Sequence, residues 1–381
     1  MTHKVTRLKK NLARNLWINA QRLDVKNPFD KGEASVTKAV EHLGYVQIDT
    51  INVIERCHHH ILYNRIPHYK RSYLNKAQAE HKTVFEYWTH ALSYLPVRDY
   101  HYYIADMKNI NTSEGSWFGA VKSEDYKKVK KLLSSGPIAI SDIKDDELKE
   151  KRHDWDSKKP SKRALQLGFY NGEFVVSRRE GMLKIYDLAE RHFKWNKKPK
   201  AVSDKVYTDY IIDRALKSQA VVSLDSICHL NNGQKKATEQ NLQARVQKGL
   251  LVEVQIEENT KYKHWASPEL LSAKVKTSPL THILSPFDPL IIQRKRLQLF
   301  FDYNHVFEAY VPKAKRKFGY FTLPVLSENN IIALLDLKTD RQAQKLQIQN
   351  WVWLEKFKSA ENKKIIENEL HRFEKFQLAK D

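Results

Sequence analysis

A chain of 381 residues and 44.8 kDa exceeds what one hydrophobic core commonly supports, so two to four domains are expected. Lys and Arg number 66 against 45 Asp and Glu, and the resulting net charge of +21 is spread along the whole length, which points to nucleic acid as the polyanionic partner. No run of ~18 apolar residues marks a membrane span, no apolar stretch follows the charged opening Met1 to Lys10 to direct export, and Cys57 and Cys228 are too few for a disulfide framework or a four-ligand zinc site.

From Lys4 to Ala20, Leu8, Leu12, Leu16 and Ala20 fall every four positions and predict a first helix. Ser35 caps a second helix carrying Val36, Ala39, Val40 and Leu43, and Gly44 suits a left-handed C-terminal cap. The next segment, Tyr45-Val46-Gln47-Ile48-Asp49-Thr50, alternates. Read as extended, it turns Val46 and Ile48 toward a core and sets Gln47 and Asp49 on the opposite face, where an amide and a carboxylate stand together. Thr50 and Asn52 offer caps for a helix bearing Val53, Ile54, Cys57, Ile61 and Leu62, interrupted by Pro67. Helices, a short strand and more helix match a winged-helix start, assigned to residues 1–125.

The pattern recurs in residues 126–200: helix from Lys127 to Leu133, short strand Ile138 to Ile140, helix Ser161 to Phe169, tight turn Asn171-Gly172 and strand Glu173 to Ser177. A third copy, residues 201–275, reads as Tyr207 to Leu216, Ala220 to Ser223, Asp225 to Leu230, Gln240 to Leu250 and a wing from Leu251 to Trp265. After Pro286 the segments Tyr303 to Val311, Phe318 to Val325 and Ile331 to Leu337 are rich in aromatic and β-branched residues and predict a small β-domain within 276–381. A last helix with the stripe Ile365, Ile366, Leu370, Phe373 and Phe376 packs back on it. The expected fold class is α+β, tandem winged-helix units followed by a small C-terminal β-domain.

Consecutive helical residues point about 100° apart, so His58-His59-His60 cannot converge on one ion, and no metal site or cofactor is expected. One of the three is instead a candidate for facing Asp49 or a phosphate, and His58 is taken as the DNA-binding candidate. Among the basic clusters, Arg178-Arg179 and the Lys313-Ala314-Lys315-Arg316-Lys317 segment supply further DNA-binding candidates, the latter as the tip of a hairpin between two predicted strands. Asp288, held between Pro286 and Pro289, reads as structural, capping a turn or pairing with an arginine.

The run from Val46 to Arg65, VQIDTINVIERCHHHILYNR, resembles the signature of the winged-helix DNA glycosylases typified by AlkZ and YcaQ. Its Gln-x-Asp form is similar to the YcaQ branch, where AlkZ has Gln-x-Gln. The resemblance continues through FEYWTHALSYLPVRDY (Phe85 to Tyr100), VSRREGMLKIYDLAER (Val176 to Arg191), LSPFDPLI (Leu284 to Ile291) and YVPKAKRKFGYFTLPVL (Tyr310 to Leu326). It implies a monofunctional glycosylase that cuts the N-glycosidic bond of alkylated purines, including N7-alkylguanine and N7-linked interstrand crosslinks, with Gln47 and Asp49 as its catalytic pair. A cytoplasmic monomer acting on double-stranded DNA, nucleoid-associated when bound, follows as the expectation. The alternative, a winged-helix transcription regulator without chemistry, explains the basic units but leaves Gln47 and Asp49 idle.

Overall fold

In a computed structural model of the chain, the described residues are all except 1–5, 114, 115, 117, 120, 146, 147, 149, 150, 152–156, 258 and 381, and side chains are also left aside at 259–261. The fold is α+β. Three successive stretches repeat one order of elements: helix, short strand, two helices, hairpin. The first comprises Ala34–Leu43, Val46–Gln47, Cys57–Tyr63, Arg71–Ala79 and the strands Val84–Trp88 and Leu92–Pro96. The second comprises Ser123–Ser135, Ile138–Ala139, the short turn Ile140–Asp142, Pro160–Tyr170, Phe174–Glu180 and Leu183–Leu188. In both, the short strand pairs with the last strand, which pairs with the middle one. In the third, Asp204–Gln219, Leu224–Ile227 and Lys235–Gln247 precede the hairpin Val252–Ile256 and Asn259–Ala266, and the short strand shrinks to one bridge, Val222 to Trp265. This is the winged-helix order.

The strands Thr281–Ile283, Thr322–Ser327, Asn330–Asp340 and Lys345–Trp353 form a four-stranded antiparallel sheet in chain order. The helix Ala360–Leu378 covers it, burying Ile366, Leu370, Phe373 and Phe376. By contacts the chain divides into two compact units: Met1–Arg71 with Thr89–Ser93 and Lys205–Asp381, and Ser72–Trp88 with Tyr94–Asp204. Within the first unit, the helix Lys10–Ala20 and the helix Arg294–Phe301 share a core in which Trp17 meets Phe300 edge-on at 5.4 Å. Each large apolar side chain so buried contributes ~1.5–3 kcal/mol.

Several expectations are corrected. The first helix starts at Lys10, because Thr6–Leu8 is a strand parallel to Val252–Ile256. The helix expected from Thr50 or Asn52 starts at Cys57, and residues 48–56 are irregular. Tyr303 to Val311 forms no strand: Glu308 is buried and accepts the backbone N–H groups of Lys317, Phe318 and Gly319, so this stretch is committed to holding a loop. Lys313 to Lys317 is therefore no hairpin tip but a short 3-10 turn, Lys313–Lys315, and its flank. The hairpins of this domain follow it, Thr322–Ser327 with Asn330–Asp340 and then Asn330–Asp340 with Lys345–Trp353.

Candidate active site

The helix Ala34–Leu43 buries Val36, Ala39, Val40 and Leu43 and ends where Gly44 adopts φ 81° and donates its N–H to Val40 O at 2.8 Å. A Cβ at Gly44 would lie 2.5 Å from the Arg214 side chain, so both backbone conformation and space demand glycine. This turn delivers Val46–Gln47, the only two residues of the segment that are strand. Val46 and Ile48 enter the core as expected. Ile48 N–H donates to Leu92 O at 2.8 Å, and the Cys57 thiol donates to Gln47 O at 3.1 Å, so the backbone is pinned on both sides of Gln47.

Asp49 lies beyond the strand, half-buried, with its Oδ1 accepting the Ile51 N–H at 2.7 Å in a tight local turn. Burial pushes its pKa up, and the backbone N–H groups of Ile51 and Thr50 only partly offset this. No cationic side chain pairs with it among the described residues. Asp49 is thus a partly desolvated carboxylate without a cationic partner among the described residues, in a chain of net charge +21.

Gln47 is 6% exposed rather than on an open polar face, and its Oε1 lies 3.0 Å from His90 Nε2. His90 packs edge-on against Tyr45 at 4.9 Å and against His229 at 5.2 Å. Sequence reading gave His90 no role. The available signal was a Thr-His-Ala-x-Ser run between two β-rich segments, which the structure turns into the tip between Val84–Trp88 and Leu92–Pro96.

The loop after Asp49 is also held from the far end of the chain. Thr339 N–H donates to Val53 O at 2.8 Å, and Arg341 donates to Asn52 Oδ1 at 2.8 Å and to Asn52 O at 3.2 Å. Exposed Lys338, Arg341 and Lys345 thus flank the tip of a hairpin resting on residues 52 and 53.

The three histidines diverge, as helical spacing requires. His60 Nε2 donates to Ile283 O at 2.7 Å, His59 Nδ1 is hydrogen-bonded to the Tyr69 hydroxyl at 2.7 Å, and His58 packs tilted against His59 with centroids 4.4 Å apart. At 2% exposure His58 has no surface to offer a phosphate, and that expectation is corrected. No group of three or more His, Cys, Asp or Glu among the described residues is arranged around a metal-sized point.

Of the basic candidates, Arg179 is corrected in the same way. It is buried, with Nε and Nη2 both 2.6 Å from the Glu86 carboxylate, because strand alternation turns it inward. Arg178, its outward neighbour, is exposed beside Glu180 at 3.3 Å. Lys313, Lys315 and Lys317 project from the loop that Glu308 holds, while Arg316 is half-buried, donating to Val311 O at 2.8 Å and lying over the Tyr320 ring. Arg296, in the run Arg294-Lys295-Arg296, is buried between Trp17 and Phe300, where burial lowers its pKa to about 9.

The family described as DNA glycosylase AlkZ-like matches residues 40–376, from the end of the first winged-helix helix to the last helix. The structure of Streptomyces sahachiroi DNA glycosylase AlkZ aligns with a TM-score of 0.63 and 14% sequence identity, covering 97% of this chain and 96% of that one. At that identity the likeness speaks to the fold.

Proposed function

Since the chain belongs to the AlkZ-like family of DNA glycosylases, we propose that it is a monofunctional glycosylase of the Gln-x-Asp type, acting on alkylated purines, N7-alkylguanine and N7-linked interstrand crosslinks above all. The observation that carries this reading is Asp49: half-buried, free of any cationic partner among the described residues, and two positions from the amide of Gln47.

Alkylation at N7 makes guanine cationic and a good leaving group. The C1′–N9 bond then breaks with its electron pair going to the base, which leaves as the neutral N7-alkylguanine. The sugar becomes oxocarbenium-like, water adds at C1′, and the water proton passes to Asp49. At ~4 Å and an effective dielectric of ~20, a carboxylate stabilises such a cation by about 4 kcal/mol, roughly a thousandfold in rate if the charge develops only in the transition state. General-base assistance adds ~10²- to 10⁴-fold. The Gln47 amide supplies a hydrogen-bond donor for the water or for the Asp49 carboxylate. No lysine stands within the Gln47 to Asp49 motif to form a Schiff base, which favours hydrolysis over lyase chemistry.

Lys313, Lys315, Lys317, Arg178 and the hairpin tip with Arg341 are the side chains proposed to neutralise phosphates, in a protein acting as a monomer on duplex DNA. A crosslinked base is tethered to the opposite strand and cannot be drawn into a closed pocket, so an open site tolerant of bulky N7 substituents is part of the proposal. The test is single-turnover incubation of wild type and Asp49→Asn with a duplex carrying one N7-methylguanine, followed by alkali. Cleavage by wild type and a loss of at least ~10²-fold in the variant, with duplex binding retained, is the expected result. No cleavage by either, with binding intact, overturns it.

A further inference from the structure

A glutamine amide can turn over, so that it presents either its oxygen or its NH₂ group to a site. Which way Gln47 faces is decided by what occupies its other end, and that neighbour is His90, 3.0 Å from Gln47 Oε1. His90 must therefore carry its proton on Nε2 and leave Nδ1 as acceptor.

The residues around His90 set that tautomer. The Ala91 carbonyl already accepts the Thr89 N–H at 2.9 Å and the Ser93 hydroxyl at 3.1 Å, which fills its two lone pairs. The Thr89 hydroxyl lies 3.2 Å from His90 Nδ1, 3.2 Å from Ala91 O and 3.3 Å from Ser93 Oγ; with that carbonyl already taken by two shorter donors, we assign its proton to Nδ1, the one acceptor of the three left without another. Burial, with His229 and Arg214 adding to it, lowers the His90 pKa to about 3, so the ring is neutral wherever the enzyme works. Tyr45 and His229, both edge-on, fix the plane of the ring. Gln47 Nε2, by contrast, has no hydrogen-bond partner among the described residues and is not sealed from solvent.

We propose that His90 is a positioning residue which, through the relay Thr89 hydroxyl to His90 to Gln47, locks the Gln47 amide with its NH₂ group turned toward the reacting centre. The inference rests on the glycosylase reading for its kinetic consequence but not for its geometry. In this arrangement Gln47 donates and Asp49 accepts, so an attacking water is held by its oxygen at one residue and by its proton at the other. A flipped amide would compete with Asp49 for that proton.

The experiment has two arms. In ¹⁵N spectra of the full chain, His90 is expected as the neutral Nε2–H tautomer, and Thr89→Val, which keeps shape and removes the hydroxyl, is expected to let the Nδ1–H form appear. An Nδ1–H ring in the wild type overturns the proposal whether or not the chain cleaves DNA. In the kinetic arm, His90→Ala is expected to lose ~10- to 100-fold in the single-turnover rate at saturating enzyme, with duplex affinity unchanged. His90→Gln, which restores a side-chain donor, is expected to recover most of that loss. Equal rates for wild type and His90→Ala, or a folded His90→Gln no faster than His90→Ala, overturn it. Absence of cleavage by the wild type strikes the glycosylase reading alone, since the spectroscopic arm still decides the tautomer.

Discussion

Arg65 and Asp288 form a bidentate ion pair with both side chains at 0% exposure, Nη1 to Oδ2 at 2.7 Å and Nη2 to Oδ1 at 2.9 Å. The remaining Arg65 hydrogens go to Gln21 O, Gln21 Oε1 and Ile61 O, so nothing on the guanidinium is left without an acceptor. The arginine partner considered for Asp288 from its proline-bounded turn is thus Arg65. Removing one partner strands the other charge in the core. Asp288→Ala is expected to destabilise the fold by ~3–5 kcal/mol, read as a lowered denaturant midpoint. An unchanged midpoint would mean that the pair is not desolvated in solution.

Asp49 should show the opposite sign. Its folded pKa is raised, so the native state holds the proton more tightly than the unfolded chain, and ionisation at neutral pH costs stability that returns as pH falls through the raised value. Asp49→Asn is expected to melt at or above the wild-type temperature at pH 7.5 while its activity collapses. The same shift puts the acid limb of the single-turnover pH profile above ~3.9, the ordinary aspartate value, because only the carboxylate works. A limb at or below that value would place another group in the role.

Acid should unfold the protein early. Burial holds His42, His60, His264, His282 and His305 at about 4 and His90 at about 3, against 6.5 for a free side chain. As pH falls below 6.5 the unfolded chain takes up protons that the native state refuses. Stability is therefore full above 6.5 and lost down to the folded values, by up to ~1.4 kcal/mol per pH unit for each such group. Denaturant titrations between pH 7 and 4.5 check this, and a flat profile would refute it.

Salt dependence separates surface cations from buried ones. Replacing Lys313, Lys315 and Lys317 together by Ala is expected to flatten the slope of log affinity against log salt by as much as ~2.7, at ~0.9 per phosphate contact, with no loss of stability. Arg179→Ala should leave the slope alone and lower stability, because Glu86 is then buried unpaired. A reversed pattern would return Arg179 to the DNA-contacting set.

Local rules read much of this molecule correctly. Gly44 was legible as a left-handed cap because its surroundings ended a periodic helix, and the Asn171-Gly172 turn because two residues suffice to specify it. Gln47 and Asp49 were legible by type, but the setting of Gln47 was not, since His90 lies 43 positions away and reaches it only through tertiary folding. The β-rich composition of Tyr303 to Val311 misled because buried Glu308 gives that stretch a loop to hold instead of a strand to join. Lys345–Trp353 was the reverse case. Its apolar residues Leu346 and Ile348 are followed by Trp351 and Trp353, put out of step by Gln349, the extra position that a bulge opposite Asp336/Leu337 accommodates, so strict alternation fails within a genuine strand.

Arg341 reaches Asn52 across 289 positions of chain. During synthesis the Gln47 to Asp49 segment therefore leaves the ribosome long before the strand that supports it has been made. Contacts of such separation form late and slowly. A nascent or prematurely terminated chain would carry Gln47 and Asp49 yet lack the support that fixes the loop after them, and is expected to be inert toward DNA. For a DNA glycosylase, activity is thereby deferred until the strand pair bearing Thr339 and Arg341 has been made.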